Sequence, residues 1–183
     1  MKTRASQTAL SMALIVAVTS LSAAPTLAKP KHLLVVTVTK GFRHSSIPTA
    51  EKVIAELARH DGSFTVDFVR DDKGEGDDKE LAEKTSREML KKYDGVIFAN
   101  TTGDLPLADK EFFIEWIKSG KAFIGMHSAG DTFHGFPAFI DMIGGEFKSH
   151  GAQVTVDAVN QDPNHPACKH CGPTYTLYDE IYI

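Results

Sequence analysis

Lys121-Ala-Phe-Ile-Gly-Met-His-Ser-Ala-Gly-Asp131 is the stretch whose reading decides the fold of this chain. Ala122 to Ile124 reads as a short buried strand that runs into a sharp turn. Gly125, Ala129 and Gly130 surround His127 and Ser128 with small residues. Strand, tight turn and helix are the setting in which an α/β protein holds up one side chain for chemistry. The side chain at the apex is a histidine.

Working outward, the same alternation recurs upstream. Leu33 to Thr39 is apolar and β-branched, the pattern of a strand buried on both faces. It exits through the polar loop Lys40 to Ser46. A helix follows, with Ser45 or Ser46 as cap, Pro48 in its first turn and Ala50, Val53, Ile54, Leu57 and Ala58 as one apolar stripe; Asp61-Gly62 stops it. Phe64 to Val69 predicts a second strand, Asp71 to Asp78 an acidic loop, and Glu80 to Lys92 a helix. Asp94 to Ala99 predicts the third strand, with Asn100 to Asp104 as its polar exit. Ala108 to Ser119 predicts a helix with Phe112, Phe113, Trp116 and Ile117 inward and Gly120 behind it. That aromatic stripe has the periodicity of core.

Alternating strands and helices imply a mainly parallel sheet covered on both sides, a three-layer α/β sandwich. Ligands of such sheets bind beyond the carboxyl ends of the strands. Arg43, His44, Asn100, Thr101, His127, Ser128 and Asp131 then share one rim. Beyond the turn, Phe133 to Ile143 reads as a short helix interrupted by Gly135 and Pro137, and Gly144 to Gly151 as a loop. Gln153 to Val159 reads as an alternating strand, Asp162 to Pro166 as a turn, and Tyr178 to Ile183 as the start of another strand. An ending inside a strand predicts a C-terminally truncated domain.

Lys2 and Arg4, the apolar run Ala9 to Ala24 and Thr26-Leu27-Ala28 have the order of a secretory signal peptide. Residues 1–28 are therefore predicted to be removed, leaving an exported, periplasmic or secreted domain, 29–183, with no membrane span. The net charge is −4 with basic residues scattered, which argues against nucleic acid as a partner. Cys168 and Cys171, in Cys-Lys-His-Cys, allow a local disulfide, idle thiols or a metal site outside the cytosol.

The elbow frame from Gly125 puts His127 where an acyl-transfer enzyme has Ser or Cys. Ser128 stands one position further on and reads as a substrate contact or a helix cap. Six of the 8 histidines (His44, His127, His134, His150, His165 and His170) fall in loops, and with Asp131 and Glu180 some of them can gather at one point. Histidines plus a carboxylate suit a divalent metal such as zinc, although the spacings match no strong local zinc motif. Without a metal, His127 with Asp131 offers acid/base chemistry near neutral pH. Satisfied rim histidines with no chemistry are the third reading. Arg43, His44, Ser128 and Asn100 are the candidate substrate contacts, and Phe42, Phe133 and Phe136 a candidate apolar wall for a sugar. No phosphate-cradling glycine motif follows the first strand.

Lys40-Gly41-Phe42-Arg43-His44-Ser45, Gly125-Met126-His127-Ser128-Ala129, Gly144-Gly145-x-Phe147-x-x-His150, His165-Pro166 and Asp179-Glu180-Ile181-Tyr182 together resemble the ThuA-like (trehalose utilisation) family. The resemblance implies a flavodoxin-like sandwich similar to class I glutamine amidotransferases, without the amidotransferase cysteine, so glutamine hydrolysis is disfavoured. It implies a small-molecule sugar partner, a disaccharide or its oxidised derivative. By position it carries His44, His127, Asp131, His150, Glu180 and His165 over as site candidates, with His44, His127, His150 and Glu180 as the ligand set for a metal. The function expected is sugar processing by acid/base or metal-assisted chemistry; the alternative is a non-catalytic sugar-binding or accessory domain on the same fold.

Overall fold

The computed structural model describes residues 29–71 and 78–183. The predicted signal peptide lies outside the described residues. Among the described residues no helix is long and apolar enough to cross a membrane.

Four strands, β1 (Lys31–Val36), β2 (Phe64–Val69), β3 (Gly95–Ala99) and β4 (Ala122–Met126), form one sheet in the order β2-β1-β3-β4. Every pairing in it is parallel. The strands alternate between two faces, as a period of two requires. Leu34, Val36, Val96 and Phe98 enter one apolar cluster, while Val35, Ile97 and Ala99 enter another. Helix α1 (Ile47–Asp61) covers the second face through Ile54. On the first face lie α2 (Asp78–Lys84), α3 (Arg87–Leu90), α4 (Lys110–Lys118) and α5 (Pro137–Ile143), contributing Leu81, Leu90, Phe113 and Phe139. The fold is thus an α/β sandwich of flavodoxin-like type with a mainly parallel sheet. The aromatic stripe is core: Phe113 stacks on Phe98 at 5.6 Å and on Trp116 at 6.0 Å.

Some local expectations change. The opening strand runs two residues further, through Met126, and lies at the edge of the sheet among the described residues, with Ile124 46% exposed. An apolar run does not by itself separate a central strand from an edge strand. The single helix expected over 80–92 is two. Thr85 Oγ1 donates to the Leu81 carbonyl at 2.7 Å, and Ser86 Oγ accepts from Met89 N–H to start α3; such local side-chain bonds compete with helix continuation. Ser46 stands at the N-cap of α1 without a side-chain cap, because its φ −77° and ψ −13° are already helical. Pro137 begins α5 instead of interrupting it, as proline does at the first helical position. Of the proposed sugar wall, Phe133 is 1% exposed and belongs to the core. β5 (Val154–Val159) pairs antiparallel with β6 (Thr174–Asp179), a strand that begins earlier than expected.

The sheet order reverses between β1 and β3, the switch point where ligands of such sheets bind. The strand exits are stitched together there. Lys40 N–H donates to Thr102 O at 2.8 Å, Gly103 N–H to Asp131 O at 2.7 Å, and the hydroxyls of Thr101 and Thr132 meet at 2.8 Å. Gly103 has φ +75°, and a Cβ on it would sit 2.9 Å from Lys40, so only glycine closes this seam.

Candidate functional site

At the end of β4 the chain turns at His127, whose φ is +48°. The left-handed region is costly for a residue with a side chain, and strain of this kind gathers at functional sites. The following turn, His127–Asp131, is a short 3-10 helix. His127 therefore occupies the apex of an elbow, as its sequence frame predicts. Asn100, at the end of β3, has φ +60° and donates through Nδ2 to Ser46 Oγ at 2.9 Å.

Two other segments converge on His127. His44 comes from the loop after β1, and the two rings meet edge to face with centroids 4.5 Å apart. The last residues of the chain return past β6, pinned by Ile183 N–H to Ser149 O at 2.8 Å and by a bridge between His150 and Tyr182. This return delivers Glu180 and Tyr182, two residues apart on an extended chain and so on one side of it. Glu180 Oε1 lies 3.2 Å from His127 Nε2 and 3.6 Å from His44 Nε2. Its other oxygen, Oε2, lies 3.2 Å from His150 Nδ1. The Tyr182 hydroxyl donates to Glu180 Oε1 at 3.2 Å, and stands 3.1 Å from His127 Nε2 and 3.4 Å from His44 Nε2. Glu180 keeps only 14% of its side chain exposed.

Burial lowers the pKa of His44, and the neighbouring His127 lowers it further against the opposing pull of Glu180. The His44 ring is thereby held toward its neutral form. Its Nδ1 lies 3.3 Å from the hydroxyl of Ser128, a residue 1% exposed. The Tyr182 phenol is pushed up, first by burial and then by the Glu180 charge, so it stays a hydrogen-bond donor.

Of the candidates, His44, His127 and Glu180 meet, and their ligand-type atoms all lie within 4.8 Å of one another. His150 stands on the far carboxylate oxygen, and its Nδ1 also engages Gly151 O at 2.8 Å. Asp131 borders the same cleft of about 620 Å³, but its carboxylate is bound to His134 at 2.6 Å. His134 reaches Glu146 through its other nitrogen at 3.0 Å. Arg43 borders the cleft while donating to Thr37 O at 3.1 Å. Ser128 is buried behind His44, and Asn100 is 4% exposed and taken up by Ser46. His165 lies in the β5–β6 loop, where its Nδ1 accepts from Ala167 N–H. Tyr182 was absent from the candidates. Its place two residues after Glu180 is the signal that marks it.

The sequence profile described as trehalose utilisation, ThuA, matches residues 32–183. Among solved structures, a ThuA-like protein of Parabacteroides merdae superimposes with TM-score 0.63 at 21% identity, covering 84% of this chain and 63% of that one. A ThuA-like protein of Bacteroides uniformis gives TM-score 0.63 at 19% identity, with 87% and 63% covered. No curated protein matches the sequence. This chain thus spans 63% of the length of the solved proteins that share its fold. The profile match over residues 32–183 shows that the chain belongs to the trehalose utilisation (ThuA) family.

Proposed function

We propose that this is an exported carbohydrate-processing protein acting on a disaccharide or an oxidised (keto) sugar through the His44–His127–Glu180–Tyr182 cluster. The observation that carries the reading is the convergence of two imidazole Nε2 atoms and one phenol on a single carboxylate oxygen at the switch point of the sheet. The family's description, trehalose utilisation, supports a sugar as the partner.

The chemistry follows from the groups. A ketone makes the adjacent C–H acidic. The imidazole of His127 takes that proton on Nε2, and the electron pair moves onto the carbonyl oxygen, where a donor such as the Tyr182 hydroxyl stabilises it. Glu180 steadies the imidazolium that results. The cleft beside the cluster, with Phe42 at its mouth and Arg43 in its wall, has the volume of a disaccharide-sized site. Acyl transfer does not fit, since the elbow apex is His127 and the serine that follows it, Ser128, is buried against His44.

The test is turnover of trehalose-type disaccharides and their keto derivatives by the protein and by His127→Ala. Loss of turnover by at least about 100-fold is expected. Turnover unchanged in the variant overturns the role of His127. Saturable sugar binding with no product across the panel converts the reading to a sugar-binding domain.

A further inference from the structure

The same cluster has a second property, which takes the place of proton transfer at His127: a cation on Nε2 occupies the lone pair that would otherwise accept the proton. We propose that His44 Nε2, His127 Nε2 and Glu180 Oε1 form a three-ligand site for a divalent cation of the zinc class, with the fourth position at the Tyr182 hydroxyl. The inference rests on the site identified above but not on the reaction assigned to it.

The argument is geometric. Zinc binds imidazole nitrogen and carboxylate oxygen at about 2.0–2.2 Å, so neighbouring ligands of a tetrahedron stand about 3.3–3.5 Å apart. The two histidine-to-carboxylate edges measure 3.2 and 3.6 Å. The Tyr182 oxygen completes three further edges of 3.1, 3.4 and 3.2 Å. Five of the six edges of a tetrahedron are therefore near zinc dimensions, and the sixth, between the two imidazole nitrogens, is within 4.8 Å.

The surroundings are those of ligands already oriented. A metal-bound histidine uses its second nitrogen to hold a fixed partner, and ligating carboxylates are themselves hydrogen-bonded. His44 Nδ1 meets the buried Ser128 hydroxyl, and Glu180 Oε2 meets His150. The set of two histidines and a glutamate with a fourth position beside a cleft is the composition of a catalytic zinc site, not of a closed structural one. There a hydroxyl or carbonyl oxygen of a sugar replaces or joins Tyr182, and the cation polarises it.

The experiment is titration of chelator-stripped full-length protein with Zn²⁺ in competition with an indicator, and with Co²⁺ as a visible probe. One equivalent is expected, with the Co²⁺ spectrum of a four- or five-coordinate N/O site. Glu180→Gln and His44→Gln, checked for folding by near-UV circular dichroism, should each weaken binding by at least about 100-fold. The double variant Cys168→Ser/Cys171→Ser should bind as the parent does. Absence of one-to-one binding, a Co²⁺ spectrum of sulfur ligation, or affinity unchanged in folded Glu180→Gln overturns the proposal. Turnover on keto sugars is measured separately. A failed titration with turnover intact overturns the cation site and leaves the sugar reading standing. Specific cation binding without turnover does the reverse.

Discussion

The hydroxyl of Tyr182 lies 3.1 Å from Nε2 of His127, although 55 residues separate them in the chain. The contact is made by the return of residues 180–183 along the loop at Ser149, which brings Glu180 and Tyr182 to the elbow. Tyr182 also binds Glu180, which fixes the carboxylate and presents the phenol to the cleft. Tyr182→Phe keeps the ring that packs on Phe147 at 4.5 Å while deleting the donor. Turnover should fall by about 100-fold, with stability changed by no more than about 1 kcal/mol. Steady-state kinetics beside urea denaturation check this, and full activity in the variant removes the phenol from the chemistry.

Ser128 is a positioning residue. Its hydroxyl faces Nδ1 of His44 from a site closed to solvent. Ser128→Ala should leave the fold intact and weaken Zn²⁺ binding by about 10–100-fold, the cost of an unsupported ligand histidine. The readout is cation affinity, which a purely structural serine would not move. Unchanged affinity assigns Ser128 to packing alone.

His127 has φ +48°. Glycine carries no penalty in that region, whereas alanine keeps it. His127→Gly should therefore be more stable than His127→Ala by about 1 kcal/mol, with both inactive. Thermal or urea unfolding of the pair decides it; equal stabilities would mean that the backbone at the apex relaxes in the variants.

His134 is bracketed by Asp131 and Glu146, and the hydrogen bond to Asp131 raises its pKa first, against the opposing effect of burial. A group whose folded pKa is raised stabilises the fold fully below its unfolded pKa, about 6.5, and loses that contribution as pH rises through the folded value. The difference in stability between parent and His134→Gln should be largest near pH 5 and shrink as the pH rises past the unfolded pKa and through the raised folded one, so that it is smaller in a buffer of about pH 9 than at pH 5. With 47% of the side chain exposed, the difference stays below about 1 kcal/mol after solvent screening. Urea midpoints at the two pH values measure it, and a difference that grows with pH contradicts the assignment.

Phe139 is fully buried and touches three aromatic neighbours, Phe98, Phe123 and Phe133, at centroid distances of 6.1, 5.7 and 5.1 Å. Phe139→Ala should cost about 3–5 kcal/mol. Phe42, 71% exposed, should tolerate alanine with a change within about 0.5 kcal/mol. Denaturant titration of both variants tests whether the α5 face holds the core together.

The histidine apex was legible because strand, turn and small residues are local patterns. Glu180 was legible as a candidate carboxylate, and His44 as a loop residue after a buried strand. The split of the 80–92 segment was not, since it depends on Thr85 turning its hydroxyl back onto Leu81. The edge position of β4 among the described residues was hidden too, because apolar content says how much a strand buries and not which neighbours it has. Ser128, Asn100 and Asp131 were readable as rim residues, but their partners His44, Ser46 and His134 come from packing.

By itself the sequence determined the layered α/β class, the order of its parallel-sheet elements and the elbow that presents His127. These depend on periodicity, glycine placement and turn chemistry, all of which act over a few residues. Only the tertiary structure decided that Glu180 Oε1 stands between two imidazoles, that Tyr182 joins them and that His150 takes the other carboxylate oxygen. Those distances come from the stitched strand exits and from the return of residues 180–183 beside Ser149. Contacts between residues so far apart in sequence are set by how elements pack, and no local pattern encodes them.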